Sequence, residues 1–214
     1  MQQLGRDIDP EKARYYIGHK SELGADLRKL GLHKMPEFDS MKWEIFYKSH
    51  FSYCGGLEGL HIPQKPDYPC RGVVVVPIIT NNRVFDACKA AFKSWRYRHS
   101  LDTVTDIVKR PATPYVVWVR DTAEADENLK NKSADDIEQE GLNTFTLKER
   151  MLLELAYYVE TAKHLDLQNW TLCAGSRYSD GSVPFCGWSG VWFFVYWTSV
   201  GYRHANLRSR VAVS

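Results

Sequence analysis

Side chains able to do chemistry are spread thinly along this chain. The five cysteines, Cys54, Cys70, Cys88, Cys173 and Cys186, are odd in number and show no Cys-x-x-Cys spacing. That pattern points to reduced, buried thiols rather than a disulfide framework or a thiolate metal site. His50, Cys54 and His61 lie close in sequence but match no zinc-ligand spacing. The acids of 122–141 have no His or aromatic neighbours and read as a solvated surface insertion. His164 with Asp166 reads as a helix-end pair, and Asp180, in Ser-Asp-Gly, as a turn residue. No nucleophile–base–orienter set and no phosphate loop stands out, so no catalytic residue, cofactor or metal is expected.

What remains is recognition chemistry, concentrated in the last fifth of the chain. Between 188 and 202 stand Trp188, Trp192, Phe193, Phe194, Tyr196, Trp197 and Tyr202. Residues 171–214 contain no Lys, Glu, Gln or Met, whereas the first 170 residues hold 35 of these four types. At that usage about nine would be expected in a stretch this long. Large aromatics interleaved with Ser, Gly, His, Arg and Asn are the mixture that antibody loops use, rigid anchors beside small adaptable polar groups.

The elements that must position this stretch can be read from periodicity. Residues 1–35 look helical and solvent-facing, with Ala13, Tyr16, Ile17, Leu23, Leu27 and Leu30 at helical spacing and Gly18, Gly24 and Gly31 interrupting. Such an arm could support oligomerisation. Residues 36–72 read as an irregular connection with one short strand at 43–47, WEIFY. GVVVVPIIT at 72–80 reads as a strand buried on both faces, with Pro77 marking a bulge or edge. An N-cap at Thr80–Asn82 opens a helix to about 97, with Val84, Phe85, Cys88, Phe92 and Trp95 as its apolar stripe. The basic face opposite, Lys89, Lys93, Arg96 and Arg98, reads as solvated.

A weaker helical pattern covers 100–111, and YVVWV at 115–119 reads as a strand. Residues 122–141 hold one or two exposed helical turns, the second capped by Ser133. Thr146 and Glu149 form a capping box for a helix over 146–163, with Leu147, Met151, Leu152, Leu155, Ala156, Val159 and Ala162 on one face and Glu149, Glu154, Glu160 and Lys163 mostly off it. After a short strand in 170–177 and a turn at 178–184, FCGW, VWFFVYW and LRSRVAVS read as three strands. In the middle one, Val191, Phe193, Val195 and Trp197 share one face, and Trp192, Phe194 and Tyr196 the other. The fold class is α+β with small mixed or antiparallel sheets and two main helices, about 83–97 and 146–163. The division is an N-terminal helical and irregular arm over 1–71 and a main domain over 72–214.

The pattern LCAGSR-x-SDG-x-VP, followed by Trp188, Val195-x-Trp197 and a closing LR-x-R-x-AVS, resembles the variable proteins of diversity-generating retroelements, as in diversified paralogues of small-genome bacteria. The resemblance covers 146–214 and, more loosely, 72–145. It implies a C-type-lectin-like domain whose C-terminal segment is diversified by mutation at template adenines. Asparagine codons so mutated never yield Lys, Glu, Gln, Met or Trp, in keeping with what 171–214 lacks and with its tryptophans as fixed scaffold. The resemblance assigns ligand binding to Tyr178, Phe185, Gly187, Ser189, Phe194, Tyr196, Ser199, Tyr202, Arg203, His204 and Asn206. It assigns scaffold to Trp188, Val195, Trp197, Leu207, Arg208 and Arg210. The Glu-Pro-Asn and Trp-Asn-Asp signatures of calcium-dependent sugar lectins are absent from the sequence, so neither sugar nor calcium is expected.

The expected function is therefore non-enzymatic display of a binding face to a macromolecular ligand, expected to be a protein. Two other classes stay open. Aromatic stacking with Arg203, Arg208 and Arg210 on phosphate would suit single-stranded nucleic acid, against which stands a net charge of only +2. A formylglycine-generating type of enzyme shares the implied fold, with Cys173 and Cys186 in the relevant segment. The polar N-terminus lacks a signal-peptide core and the longest apolar runs are too short to span a bilayer, so the cytoplasm is the default expectation, without membrane insertion.

Overall fold

The β-branched run after Gly72 forms the buried half of the first strand. A computed structural model describes residues 38–214, and Ser40–Ser214 forms a compact unit. The helical arm expected over 1–35, with its oligomerisation role, lies outside the described residues. Strand β1 (Cys70–Val75) pairs antiparallel with β4 (Tyr115–Arg120), Val73 opposite Val117; β4 is buried along most of its length and β1 over its second half. β1 stops before Pro77 because the ladder changes hands there. The Val76 amide donates to the Tyr47 hydroxyl at 3.2 Å, which itself donates to the Val74 carbonyl at 2.8 Å. Pro77 has no amide to offer and a turn follows, closed by the Ile79 amide on the Val76 carbonyl.

Tyr47 comes from helix α1 (Ser40–Phe51), where the short strand at 43–47 was expected. WEIFY alternates, but Trp43, Phe46, Tyr47 and Phe51 also fall at helical spacing, and these four are the buried side chains. Packing of that face settles the competition between the two periods. Helix α2 (Asn81–Ala91) starts as expected, with the Thr80 hydroxyl accepting from the Arg83 amide. It ends six residues before 97. Phe92 is extended, and Ser94–Arg96 becomes β2, parallel to β8 (Trp192–Thr198) with Trp95 opposite Phe194. The Phe193 amide donates to the Lys93 carbonyl and the Tyr97 amide to the Val195 carbonyl, so sheet bonds displace the last helical turns.

The helix suggested over 100–111 is absent. Asn82 and Asn81 hold the Leu101 amide and carbonyl, and the two-residue β3 (Thr105–Asp106) pairs with β6 (Ser176–Arg177). Leu101 and Val104 are buried, but Ile107 is exposed, so the apolar spacing reflects two anchors rather than one face. The acidic stretch is less solvated than its composition suggests. A 3-10 turn (Glu127–Leu129) and helix α3 (Ala134–Gln139) bury Leu129, Ala134 and Ile137, and Ser133 with Asp136 forms a complete capping box.

Helix α4 (Leu147–Thr161) starts at the expected Thr146/Glu149 capping box and ends at Ala162 in the left-handed conformation. It packs against α2, β1 and β7 (Val183–Ser189). Its five buried leucine and methionine side chains at 147 and 151–153 and 155 supply apolar burial of about 1.5–3 kcal/mol each. Glu149 and Glu154 depart from expectation: both are fully buried, as is Arg150. The main sheet runs β2-β8-β7-β5-β9, with β5 at Trp170–Leu172 and β9 at Leu207–Arg208. β7 pairs antiparallel with β8 and β5, while β9 is parallel to β5. The chain end then bridges to Thr144 at Val211 and returns to the β1–β4 pair through the Trp118–Val213 bridge. The whole is mixed α+β with several small sheets, and no helix among the described residues is long and apolar enough to cross a membrane.

Gly175 shows how tightly the junction is built. A Cβ there would stand 2.7 Å from the Thr144 carbonyl oxygen and 3.1 Å from that of Phe145. Both obstacles are backbone and cannot rotate away. Gly175→Ala is expected to lower unfolding free energy by about 1–3 kcal/mol, measurable by urea denaturation with an unchanged m-value.

Candidate binding face

Alternation along β7 and β8 splits the aromatic segment between two surfaces. Cys186, Trp188, Phe193 and Val195 point inward and are buried, facing the helices. Phe185, Phe194 and Tyr196 point outward, with Trp192 at the strand end. The inward surface ends in a set of buried charges. Arg150 pairs with Glu154 at 2.8 Å and with Asp166 at 2.9 Å, and Asp166 pairs with Arg210 at 2.6 Å. Thr171 donates its hydroxyl to Asp166, and the Trp188 indole N–H donates to Glu154 at 3.1 Å. Arg210 also donates to the carbonyls of Thr122 and Ala123 at 3.2 Å. All four charged side chains are without solvent exposure.

Burial alone would push the Asp166 carboxyl up, but Arg210 and Arg150, with the Thr171 hydroxyl, more than reverse this and hold it below the ordinary carboxylate range. Burial likewise opposes the Arg150 charge, and Asp166 with Glu154 outweighs it, so this guanidinium holds its proton more tightly than a free one.

The outward surface is a field of rings. Trp95 stacks on Tyr196 at 5.9 Å, and Tyr97 meets the same ring edge-on at 4.9 Å. Phe185 lies 5.7 Å from both Phe194 and Tyr196. Beyond Phe194, Trp170 stacks with His204 at 5.4 Å, and His204 in turn with Tyr202 at 6.2 Å. Helix α3 and Leu207 close the inner end of this surface, where Ala134, Ile137, Leu172, Val183 and Phe185 form one buried cluster. The outer part stays open, with Trp95, Tyr97, Trp192 and Tyr202 all exposed.

The positions assigned to ligand binding do not all reach this surface. Ser189, Ser199, Tyr202 and Arg203 are exposed, and Phe194, Tyr196, His204 and Asn206 are half-buried. Tyr178, Phe185 and Gly187 are buried, so they underlie the surface instead of forming it. At Gly187 a Cβ would stand 2.6 Å from Trp170 Cδ1, because the indole lies across this strand. Of the scaffold set, Trp188, Val195, Leu207, Arg208 and Arg210 are buried and Trp197 is half-buried. Arg208 binds Glu127 at 2.6 Å and also Asn169, and Arg203 binds Asp136 at 2.6 Å.

Sequence reasoning missed Trp95, Tyr97 and Trp170 as parts of the face. Trp95 was expected on the core side of a helix. The Trp-x-Tyr spacing at 95–97, with Arg96 and Arg98 alternating, is a period-two signal that the helical stripe concealed.

The other chemical candidates are placed as follows. Cys173 and Cys186 are buried, and burial pushes the Cys173 thiol well above its ordinary range. His164 stacks on Tyr158 at 4.9 Å with its Nδ1 3.1 Å from Glu154. The Ser182 hydroxyl and amide, together with Arg98, lower Asp180 to about 2. Among the described residues no cluster of three His, Cys, Asp or Glu side chains is placed to hold a metal ion.

Because the folded-state pKa of Asp166 is depressed, its stabilising charge is fully present above the unfolded value of about 3.9 and is lost as pH falls through the lower folded one. Asp166→Asn leaves two arginines buried against a neutral partner, and is expected to cost about 3–5 kcal/mol at pH 7. The difference from the unaltered protein should shrink below about pH 4, read from urea unfolding across pH 3–7.

Comparison of the chain with protein-family models, with curated proteins and with solved structures gives no match.

Proposed function

We propose that this protein is a non-enzymatic display protein, whose outward ring surface binds a macromolecular ligand, expected to be a protein. The carrying observation is that Trp95, Tyr97, Trp192 and Tyr202 stand exposed on one sheet and its loop, while the reverse of that sheet is locked by buried charge pairs. Exposed aromatics on a rigid frame present large contact area with little conformational entropy left to lose on binding. Exposed apolar patches of this kind mark interaction surfaces.

A protein ligand is favoured over nucleic acid by where the cations are spent. Arg98 is paired with Asp180, Arg203 with Asp136 and Arg208 with Glu127, which leaves them poorly placed to neutralise phosphates.

We further propose that residues 72–214 form a variant of the C-type-lectin-like fold and that the face is diversified by a retroelement. Two main helices, small sheets and a chain end that returns to the β1–β4 pair support the first part. The absence of Lys, Glu, Gln and Met from 171–214 supports the second. A reverse-transcriptase gene beside an imperfect repeat of the segment encoding 171–214, differing mainly at adenines, is the expected genomic setting.

The test is the distribution of differences among sister copies. They should concentrate at Ser189, Phe194, Tyr196, Ser199, Tyr202, Arg203, His204 and Asn206 and spare Trp188, Trp197, Arg208 and Arg210. Differences spread evenly along the chain would end the proposal. In the protein itself, Tyr202→Ala should change stability by less than about 0.5 kcal/mol, since the residue is 46% exposed, a shift readable by thermal melting.

A further inference from the structure

Four residues from three strands surround a depression of about 400 Å³ on the outward face: Trp95, Ser189, Trp192 and Phe194. Register brings them together, since Trp95 lies opposite Phe194 across β2–β8 and Ser189 opposite Trp192 at the end of β7–β8. The two tryptophans are half bare, 47% and 48% exposed, yet both are held. Trp95 lies against Tyr196 with 24° between the ring planes, and Lys93 Nζ sits 5.9 Å from the Trp192 ring centroid. Oriented indoles around a hollow are what the central anchor pocket of an interface requires.

The charge placed against a wall of the hollow is a cation. Lys93 is exposed and makes no ion pair among the described residues. β2, β7 and β8 contain no Asp or Glu, and neither does any residue from 181 to 214. A cationic ligand would meet an ammonium already lying over Trp192, whereas a carboxylate next to the anchor would complete a pair with it.

We propose that this depression is the anchor subsite of the face and that its occupant is a protein segment bearing an aromatic side chain flanked by carboxylates. The ring enters between Trp95 and Trp192 above Phe194, and a neighbouring carboxylate reaches Lys93. The inference rests on the face being a binding surface and adds the chemistry of the partner. It also divides the labour within the pocket. The two tryptophans are constant walls, and the side chains at 189 and 194 set how much of the hollow stays open.

The experiment follows indole N–H signals of the ¹⁵N-labelled full chain, with those of Trp95 and Trp192 assigned through Trp95→Phe and Trp192→Phe. The probes are acetyl-Glu-Glu-Phe-Glu-Glu-amide, its Lys-flanked counterpart, and the acidic peptide with Ala in place of Phe. The acidic aromatic peptide is expected to shift both signals saturably. Exchanging its Phe for Ala should weaken binding about tenfold or more, and Lys93→Glu about fivefold. Ser189→Trp, which fills the hollow, should abolish the shifts at an unchanged melting temperature.

Equal binding of the Lys-flanked peptide, or no saturable shift at millimolar peptide, overturns the inference. Binding that moves the backbone amide signals of Tyr202 and His204 in the same spectra, but neither the Trp95 nor the Trp192 indole, overturns the anchor as well but leaves the face as a binding surface. The face reading itself fails on the independent evidence of sister-copy differences.

Discussion

The constraint on which the rest depends is the enclosure of Arg150, Glu154, Asp166 and Arg210 without solvent. Charges so placed are tolerable only when each is met by an opposite charge and by hydrogen bonds. The requirement therefore fixes several distant pieces of chain at once. Arg150 and Glu154 come from helix α4, Asp166 from the segment after it, Thr171 from β5, and Arg210 from the returning chain end. Asp166 accepts from three of these and cannot satisfy them from a second position. Such networks add less to net stability than to uniqueness, because an alternative packing that separates any pair is penalised heavily.

That arrangement places the elements that position the sheet behind it, away from its outward surface. The sheet is positioned from behind by charge pairs, by α4 and by the inward row Cys186, Trp188, Phe193 and Val195. Its outward side chains meet one another ring to ring, and at the inner end they pack on helix α3 and Leu207. Replacing one of them disturbs neighbours on the same surface, while the strand register is carried by backbone bonds on both sides of β7. A β-sheet suits this separation because successive residues serve opposite faces.

Legibility in the sequence followed local chemistry and failed where a distant partner decides. The Ser133 cap and the Thr146 capping box were readable because such caps are made by residues within three positions and nothing beyond them is needed. The inward and outward rows of β8 were readable from alternation alone. The buried charges of α4 were not. Glu149 and Glu154 look like solvent-facing residues until Arg110, Tyr115 and Trp188, dozens of positions away, arrive to pair with them. The early end of α2 was hidden for the same reason, since only the parallel edge with β8 makes 94–96 a strand. Trp95 and Tyr97 were thereby lost from the candidate face. WEIFY failed differently, fitting two periods at once, with packing on Val74 and Val76 through Tyr47 choosing between them.

Gly187 controls more of the surface than its own size suggests. The missing side chain is what lets the Trp170 indole lie across β7, and Trp170 is the first ring of a ladder that continues through His204 to Tyr202 at 16° and 11° between successive planes. The posture of the 199–206 loop is thus inherited from an absent atom in the sheet beneath it. Any side chain at 187 would tilt the lowest rung, and with it the two above. A change at one interior position can in this way re-aim an exposed loop whose own residues all stay the same.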